Sequence, residues 1–161
     1  MIKILSIDAS SNITGFSVMT TDEKLIESGI INVTDKSETT MYRVINLYKK
    51  LNLLIDKHNP EHIIFEDLTR YYSRSLNALI ALSYVHAMLE LMCWIRGIEY
   101  SFIKVAKWRK DIGVTEKTRD KQKQQAIDMV KEIYGITTET DDESEAILLG
   151  LWYCRNNYKF I

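Results

Sequence analysis

Proline is almost missing from this 161-residue chain, with Pro60 its one copy, and glycine is sparse at six. Collagen-like repeats and flexible linkers are therefore excluded, and no internal repeat or low-complexity segment interrupts the sequence. Cysteine is scarce too. Cys93 and Cys154 stand far apart with no CxxC and no Cys/His cluster, so two buried, reduced thiols are expected rather than a disulfide framework or a zinc site. No apolar run approaches the roughly 18 residues that span a bilayer, which argues against a membrane protein. Met1 to Asp8 lacks the apolar length and small-residue cleavage site of a signal peptide, so the expected location is the cytoplasm. With 46% hydrophobic and 27% charged residues, what remains is the make-up of one ordinary globular domain over 1–161.

Net charge is nearly absent as well, at −1, but the average hides a segregation. Lys104, Lys107, Arg109, Lys110, Lys117, Arg119, Lys121, Lys123 and Lys131 fall in one stretch against Asp111, Glu116, Asp120 and Asp128. Further along, Glu139 to Glu145 is acidic and runs directly into the apolar stretch Ala146 to Trp152. Each block alone is explained by a solvated face. Together they suit a protein that gathers phosphates with one segment and holds a divalent cation with the next.

Ile2 to Ile7, Gly15 to Met19 and Lys24 to Val33 read as a three-stranded antiparallel meander. Met41, Val44, Ile45, Tyr48, Leu51, Leu54 and Ile55 recur at helical spacing, and Asn59-Pro60 ends that helix. His62 to Phe65 is an unbroken apolar run ending in Glu66. It reads as a strand buried on both faces and parallel to the first, because a helix lies between them. Asp67 to Ser75 is a polar loop. A long helix from about Leu76 to Arg96 ends at Gly97, and its apolar residues off the main stripe (Leu76, Ile80, Tyr84, Leu91, Ile95) call for central burial or a second subunit. A fifth strand (Glu99 to Ile103), a short helix (Val105 to Ile112) and a basic helix (Thr118 to Tyr134) follow. An amphipathic helix from Asp142 to Tyr158, with Asp141 or Asp142 near its cap, completes the pattern.

Asp8 and Glu66 each end a strand, and parallel neighbours place their carboxyl ends together, where α/β sheets hold ligands. Asp142 and Glu145 share one helix face. Turn formation explains Asp8 alone, and helix capping explains Asp142 and Glu145 alone. Converging, the four supply hard oxygen ligands of the kind Mg²⁺ or Mn²⁺ takes. Two such ions are what phosphodiester hydrolysis uses, one to activate water and one to stabilise the leaving oxygen.

In sequence order, Ile4-Leu-Ser-Ile-Asp8 with Thr14-Gly15-Phe16, Ile63-Ile-Phe-Glu66, Lys123-Gln-Gln-Ala-Ile-Asp-Met-Val130 and Asp142-Glu-Ser-Glu-Ala146 before an apolar helix span nearly the whole chain. This set resembles the RuvC family of Holliday junction resolvases, most closely its bacteriophage branch. The resemblance implies an α/β, RNase H-like fold: a five-stranded mixed sheet, with an antiparallel meander and parallel strands, flanked by helices. It further implies a homodimeric, metal-dependent endonuclease that nicks paired strands of four-way junctions and other branched DNA, replication forks included, in the bacterial host cytoplasm if the chain is phage-encoded. On that likeness Asp8, Glu66, Asp142 and Glu145 hold two Mg²⁺ ions, with Mn²⁺ as the alternative. Asp141 competes with Asp142 for its place. Lys123 is the catalytic basic residue near the scissile phosphate, with Lys121 in reserve, and Arg109 or Lys110 is a further phosphate contact.

Two departures stand out. Glu145 occupies a position that is usually Asp in the bacterial members, and Thr69 stands where they carry an aromatic wedge. Tyr71 and Tyr72 are nearby substitutes able to stack on unpaired bases. Arg70, Arg74, Lys107, Lys117 and Arg119 are the remaining expected DNA contacts. Two other readings compete. A small actin-like or sugar-kinase-type phosphotransferase needs Gly directly after the strand-end Asp, where this chain has Ala9-Ser10, and it needs two lobes. A catalytically inert junction-binding scaffold has no reason to keep four mutually repelling carboxylates.

Overall fold

A computed structural model describes residues 1–67 and 75–158. The expected DNA contacts Arg70, Tyr71, Tyr72 and Arg74, with Thr69, lie outside the described residues. The meander is formed by β1 (Lys3–Asp8), β2 (Ile13–Thr20) and β3 (Leu25–Asn32), each antiparallel to the next. Helix α1 (Thr40–His58) then crosses to β4 (His62–Glu66), which lies parallel to β1. Its end is set locally: Asn59 takes a left-handed conformation at φ 49°, one residue before Pro60, whose ring disfavours helical geometry in the preceding residue. Helix α2 (Leu76–Arg96) leads to β5 (Glu99–Ile103), parallel to β4, and the sheet order is β3-β2-β1-β4-β5. Three helices follow: α3 (Val105–Ile112), α4 (Arg119–Tyr134) and α5 (Asp141–Asn157). This is the mixed, helix-flanked sheet that the sequence led us to expect.

Side chains alternate across each strand, and this divides the core in two. Leu5, Ile7, Ile63 and Phe65 face α1 and α2, in a cluster with Leu47, Leu51, Val85 and Leu89. Ile4 and Ile64 face the other way, into a cluster with Trp108 of α3, Val130 of α4 and Leu148 of α5. By the same alternation Asp8, two residues after Ser6, and Glu66, two after Ile64, belong to the α5 face. The last paired residues of β1 and β4 are Ile7 and Phe65, so Asp8 and Glu66 come next, side by side.

Two expectations need correction. The last helix is not amphipathic, because every residue from Glu143 to Cys154 is buried. It packs against β1 and β2 on one side while α3 and α4 cover the other, so no face is left for solvent. Its cap is Thr140, whose side chain accepts from the Glu143 N–H, and Asp141 and Asp142 are the first two helical residues. Second, α2 is long and apolar enough by length and composition to cross a membrane, with a mean hydropathy of 1.7 over its best window. Asn77, Ser83 and His86 break the apolar run without lowering that average much. One stripe of α2, comprising Val85, His86, Leu89, Met92 and Cys93, is buried in the core.

Candidate metal centre

The sheet delivers two of the acids and α5 delivers the others. Opposite Asp8 in the β1–β2 ladder is Gly15. A Cβ on Gly15 would lie 1.9 Å from the carbonyl oxygen of Asp142, so only glycine allows the first turn of α5 to rest on the sheet beside Asp8. One turn further on, the hydroxyls of Ser6 and Ser17 both donate to the carbonyl of Ala146, at 2.7 and 3.1 Å. Glu143 points away from the acids. It accepts from the Ser28 hydroxyl and from the backbone N–H of Glu139, and so ties the helix start to β3 and to its own entry loop. The backbone around Asp142 and Glu145 is therefore held from three directions.

Asp8, Glu66 and Glu145 each present a carboxylate oxygen, and these atoms lie within 4.8 Å of one another. Asp142 is outside that tight group but lines the same 960 Å³ cavity, and its charge is felt by Asp8. Three of the four expected ligands thus meet closely, and the fourth stands beside them. Burial, reinforced by Glu66, Glu145 and Asp142, raises the Asp8 pKa well above the ordinary carboxylate range. Burial also lifts Glu66 to about 7, against the pull of Arg109 and of the hydrogen bond from Trp108. Glu145 and Asp142 are raised by burial first, Glu145 with Arg109 opposing and Asp142 with Asp141 adding to the effect. Crowded acids of this kind lack positive charge. The donor set is all oxygen, which fits a hard divalent cation.

Some of that charge comes from a residue the sequence placed only among DNA contacts. Nη2 of Arg109 donates to both carboxylate oxygens of Glu145, at 2.7 Å each. Trp108, which the sequence reading missed, donates its indole N–H to Glu66 at 2.8 Å from a fully buried position. A tryptophan between two cationic residues, Lys107 and Arg109, was the available signal. Arg43 was also missed. It lines the cavity and binds the carbonyls of Ser11 and Glu38, anchoring the β1–β2 loop.

The expected basic contacts divide. Arg109, Lys110 and Arg119 line the cavity. Lys123 instead pairs with Asp141 at 2.5 Å, and Lys107 pairs with Asp111 and sits over the Trp152 ring. Neither lines the cavity, and exposed Lys117 and Lys121 do not line it either. The pairing of Asp141 with Lys123 leaves Asp142 as the α5 acid that faces the cavity alongside Glu145.

Residues 4–152 match the family model described as crossover junction endodeoxyribonuclease RuvC. The chain belongs to the RuvC family. Among its relatives, the crossover junction endodeoxyribonuclease RuvC of Campylobacter curvus is 29% identical over 162 aligned positions, covering 96% of this chain and 97% of the relative. That of Finegoldia magna is 24% identical over 155 positions, covering 92% and 90%. Among solved structures, T. thermophilus RuvC in complex with a Holliday junction substrate superposes with a TM-score of 0.78 at 13% identity, covering 98% of this chain and 97% of that one. The matched RuvC span contains all four acids together with Trp108 and Arg109.

Proposed function

We propose that this RuvC-family protein resolves Holliday junctions and other branched DNA, cutting paired strands by metal-dependent phosphodiester hydrolysis. One observation carries the reading: Asp8, Glu66 and Glu145 meet within 4.8 Å in a cavity edged by Arg109, Lys110 and Arg119. Asp8, Glu66 and Glu145 would hold the ions, with Asp142 completing the donor set from the same cavity. Mg²⁺ is the ion this donor chemistry suits, and Mn²⁺ would serve in its place. Two bound ions supply an activated water and neutralise charge developing on the phosphate.

The protein's own groups do the positioning. Trp108 holds the Glu66 carboxylate at a fixed angle, and the Thr140 cap holds the first turn of α5, hence Asp142 and Glu145. Lys110 and Arg119 attract the DNA backbone to the cavity, so binding weakens steeply with salt. A homodimer joined through the exposed apolar side of α2 brings two such sites to a two-fold substrate.

The test is cleavage of a labelled four-way junction, with duplex and Y-shaped controls, in Mg²⁺, Mn²⁺ or EDTA, comparing the native chain with Glu66→Gln. Expected are paired nicks with either metal and none in EDTA. Glu66→Gln should lower the rate by about 100-fold or more while leaving junction binding intact. Binding without cleavage in both metals would replace this reading with that of an inert scaffold. Failure to bind any junction would remove both.

A further inference from the structure

Glu145 meets a cation of its own chain through both oxygens. Each accepts from the same nitrogen of Arg109, at 2.7 Å, and the pair is largely shielded from solvent, with side-chain exposures of 21% for Arg109 and 9% for Glu145. Shielding makes the bond strong, because little water competes for it. The rest of the guanidinium is underused. Among the described residues, its buried Nε has no hydrogen-bond partner and Nη1 reaches Gln122 alone, at 3.4 Å. A guanidinium that gives one nitrogen to a carboxylate and leaves a buried donor unpaired is not in its best arrangement. A two-nitrogen grip on a planar anion would satisfy more of it.

We propose that Arg109 is the internal counter-ion of the acidic centre and competes with a divalent cation for Glu145. This rests on the metal-centre reading above. Each Glu145 oxygen keeps a further lone pair for an ion, but a divalent cation there stands against the guanidinium charge, so loading favours a shift of Arg109 off the carboxylate. The released donors then face a cavity also lined by Arg43, Lys110 and Arg119, of which Lys110 and Arg119 mark where a DNA phosphate approaches. A phosphate that draws Arg109 away frees Glu145, and an ion at Glu145 frees Arg109. Metal and DNA backbone therefore assist each other's binding, by the same factor in both directions. Premature metal loading without DNA is disfavoured by the same contact.

The experiment measures Mn²⁺ affinity by calorimetry, with and without a four-way junction, for the native chain, Arg109→Gln and Arg109→Lys. Ca²⁺ replaces Mn²⁺ in a parallel set, to hold the DNA uncut. Without DNA, Arg109→Gln is expected to bind Mn²⁺ about tenfold more tightly than the native chain. Its melting temperature should be lower in EDTA and should rise more on adding metal. Junction DNA should tighten metal binding about tenfold in the native chain and leave Arg109→Gln unchanged. Arg109→Lys keeps the charge without the planar group and should fall between them. Unchanged or weaker Mn²⁺ binding in a folded Arg109→Gln would overturn the proposal, as would equal coupling to DNA in both proteins. If Arg109→Gln does not fold, a native-like metal affinity in Arg109→Lys would overturn it instead. Absence of metal binding in the native chain itself would overturn the metal-centre reading as well.

Discussion

Helices α2 and α5 lie on opposite faces of one sheet and treat apolar surface in opposite ways. Helix α2 carries only Glu90 and Arg96 as charges, yet Trp94 is 78% exposed, Leu76 71% and Leu91 57%. Helix α5 begins with Asp141, Asp142, Glu143 and Glu145, yet it is buried from Glu143 to Cys154. Burial follows position rather than composition. Helix α5 sits in the middle of its layer, under α3 and α4, whereas α2 covers the β5 side, with α1 as its helical neighbour. The apolar surplus on α2 is the kind of surface a second protein covers, and the acidic surplus on α5 is the kind a cation neutralises.

Removing packing from α5 should have the largest effect. Leu148 is fully buried among Trp108, Val130 and Leu149, so Leu148→Ala should cost about 2–5 kcal/mol in urea unfolding. The matched change on the outer side of α2, Leu91→Ala, should cost less than about 0.5 kcal/mol. Comparable losses would show that the two helices do not differ as described. Next is Gly15→Ala, which drives a methyl into the backbone of Asp142. We expect a loss of about 3 kcal/mol, at the upper end of overpacking effects, together with slower cleavage, because Asp142 and Glu145 move with the helix.

A pH effect on the buried stripe of α2 ranks third. His86 is stacked on Phe102 and meets Phe65 edge-on, and burial lowers its pKa from 6.5 to about 4. The unfolded chain takes up this proton first. The contribution is therefore intact above pH 6.5 and is lost as pH falls from about 6.5 to about 4, at a cost of about 2 kcal/mol. The crowded acids act in the reverse sense. Glu66, raised from 4.5 to about 7, loses stability for the folded chain as pH rises through that window. Comparing His86→Phe with the native chain at pH 7.5 and 5 isolates the histidine: the variant should lose less stability on acidification. The smallest effect on protomer stability, within about 0.5 kcal/mol, is expected for Leu91→Glu. Sedimentation is nevertheless expected to shift from dimer in the native chain to monomer in the variant, and paired nicks should give way to single ones.

Much of the site was legible because strands impose simple rules. Two apolar runs ending in Asp8 and Glu66, with a meander and a crossover helix between them, read as parallel neighbours with coincident ends, and spacing three set Asp142 and Glu145 on one helix face. The basic stretch was legible only as a stretch. Its members divide according to which side of α3 and α4 they occupy, and that depends on how those helices pack. Lys123 therefore turned to Asp141 rather than to the cavity, and Arg109 turned inward to Glu145. Trp108 escaped notice because its partner Glu66 is 42 residues away.

By itself the sequence determined the order and type of every element described, the ends of α1 at Asn59-Pro60 and of α2 at Gly97, and the four acids. These depend on local periodicity, on proline and glycine geometry, and on charge, all of which act over a few residues. Tertiary structure decided which acids form the tight group, which cation attends them, that Gly15 is the seat of α5, and that the helix with more charge is the one enclosed. Those outcomes depend on contacts between distant segments, where burial strengthens electrostatics and a single methyl is enough to exclude a backbone.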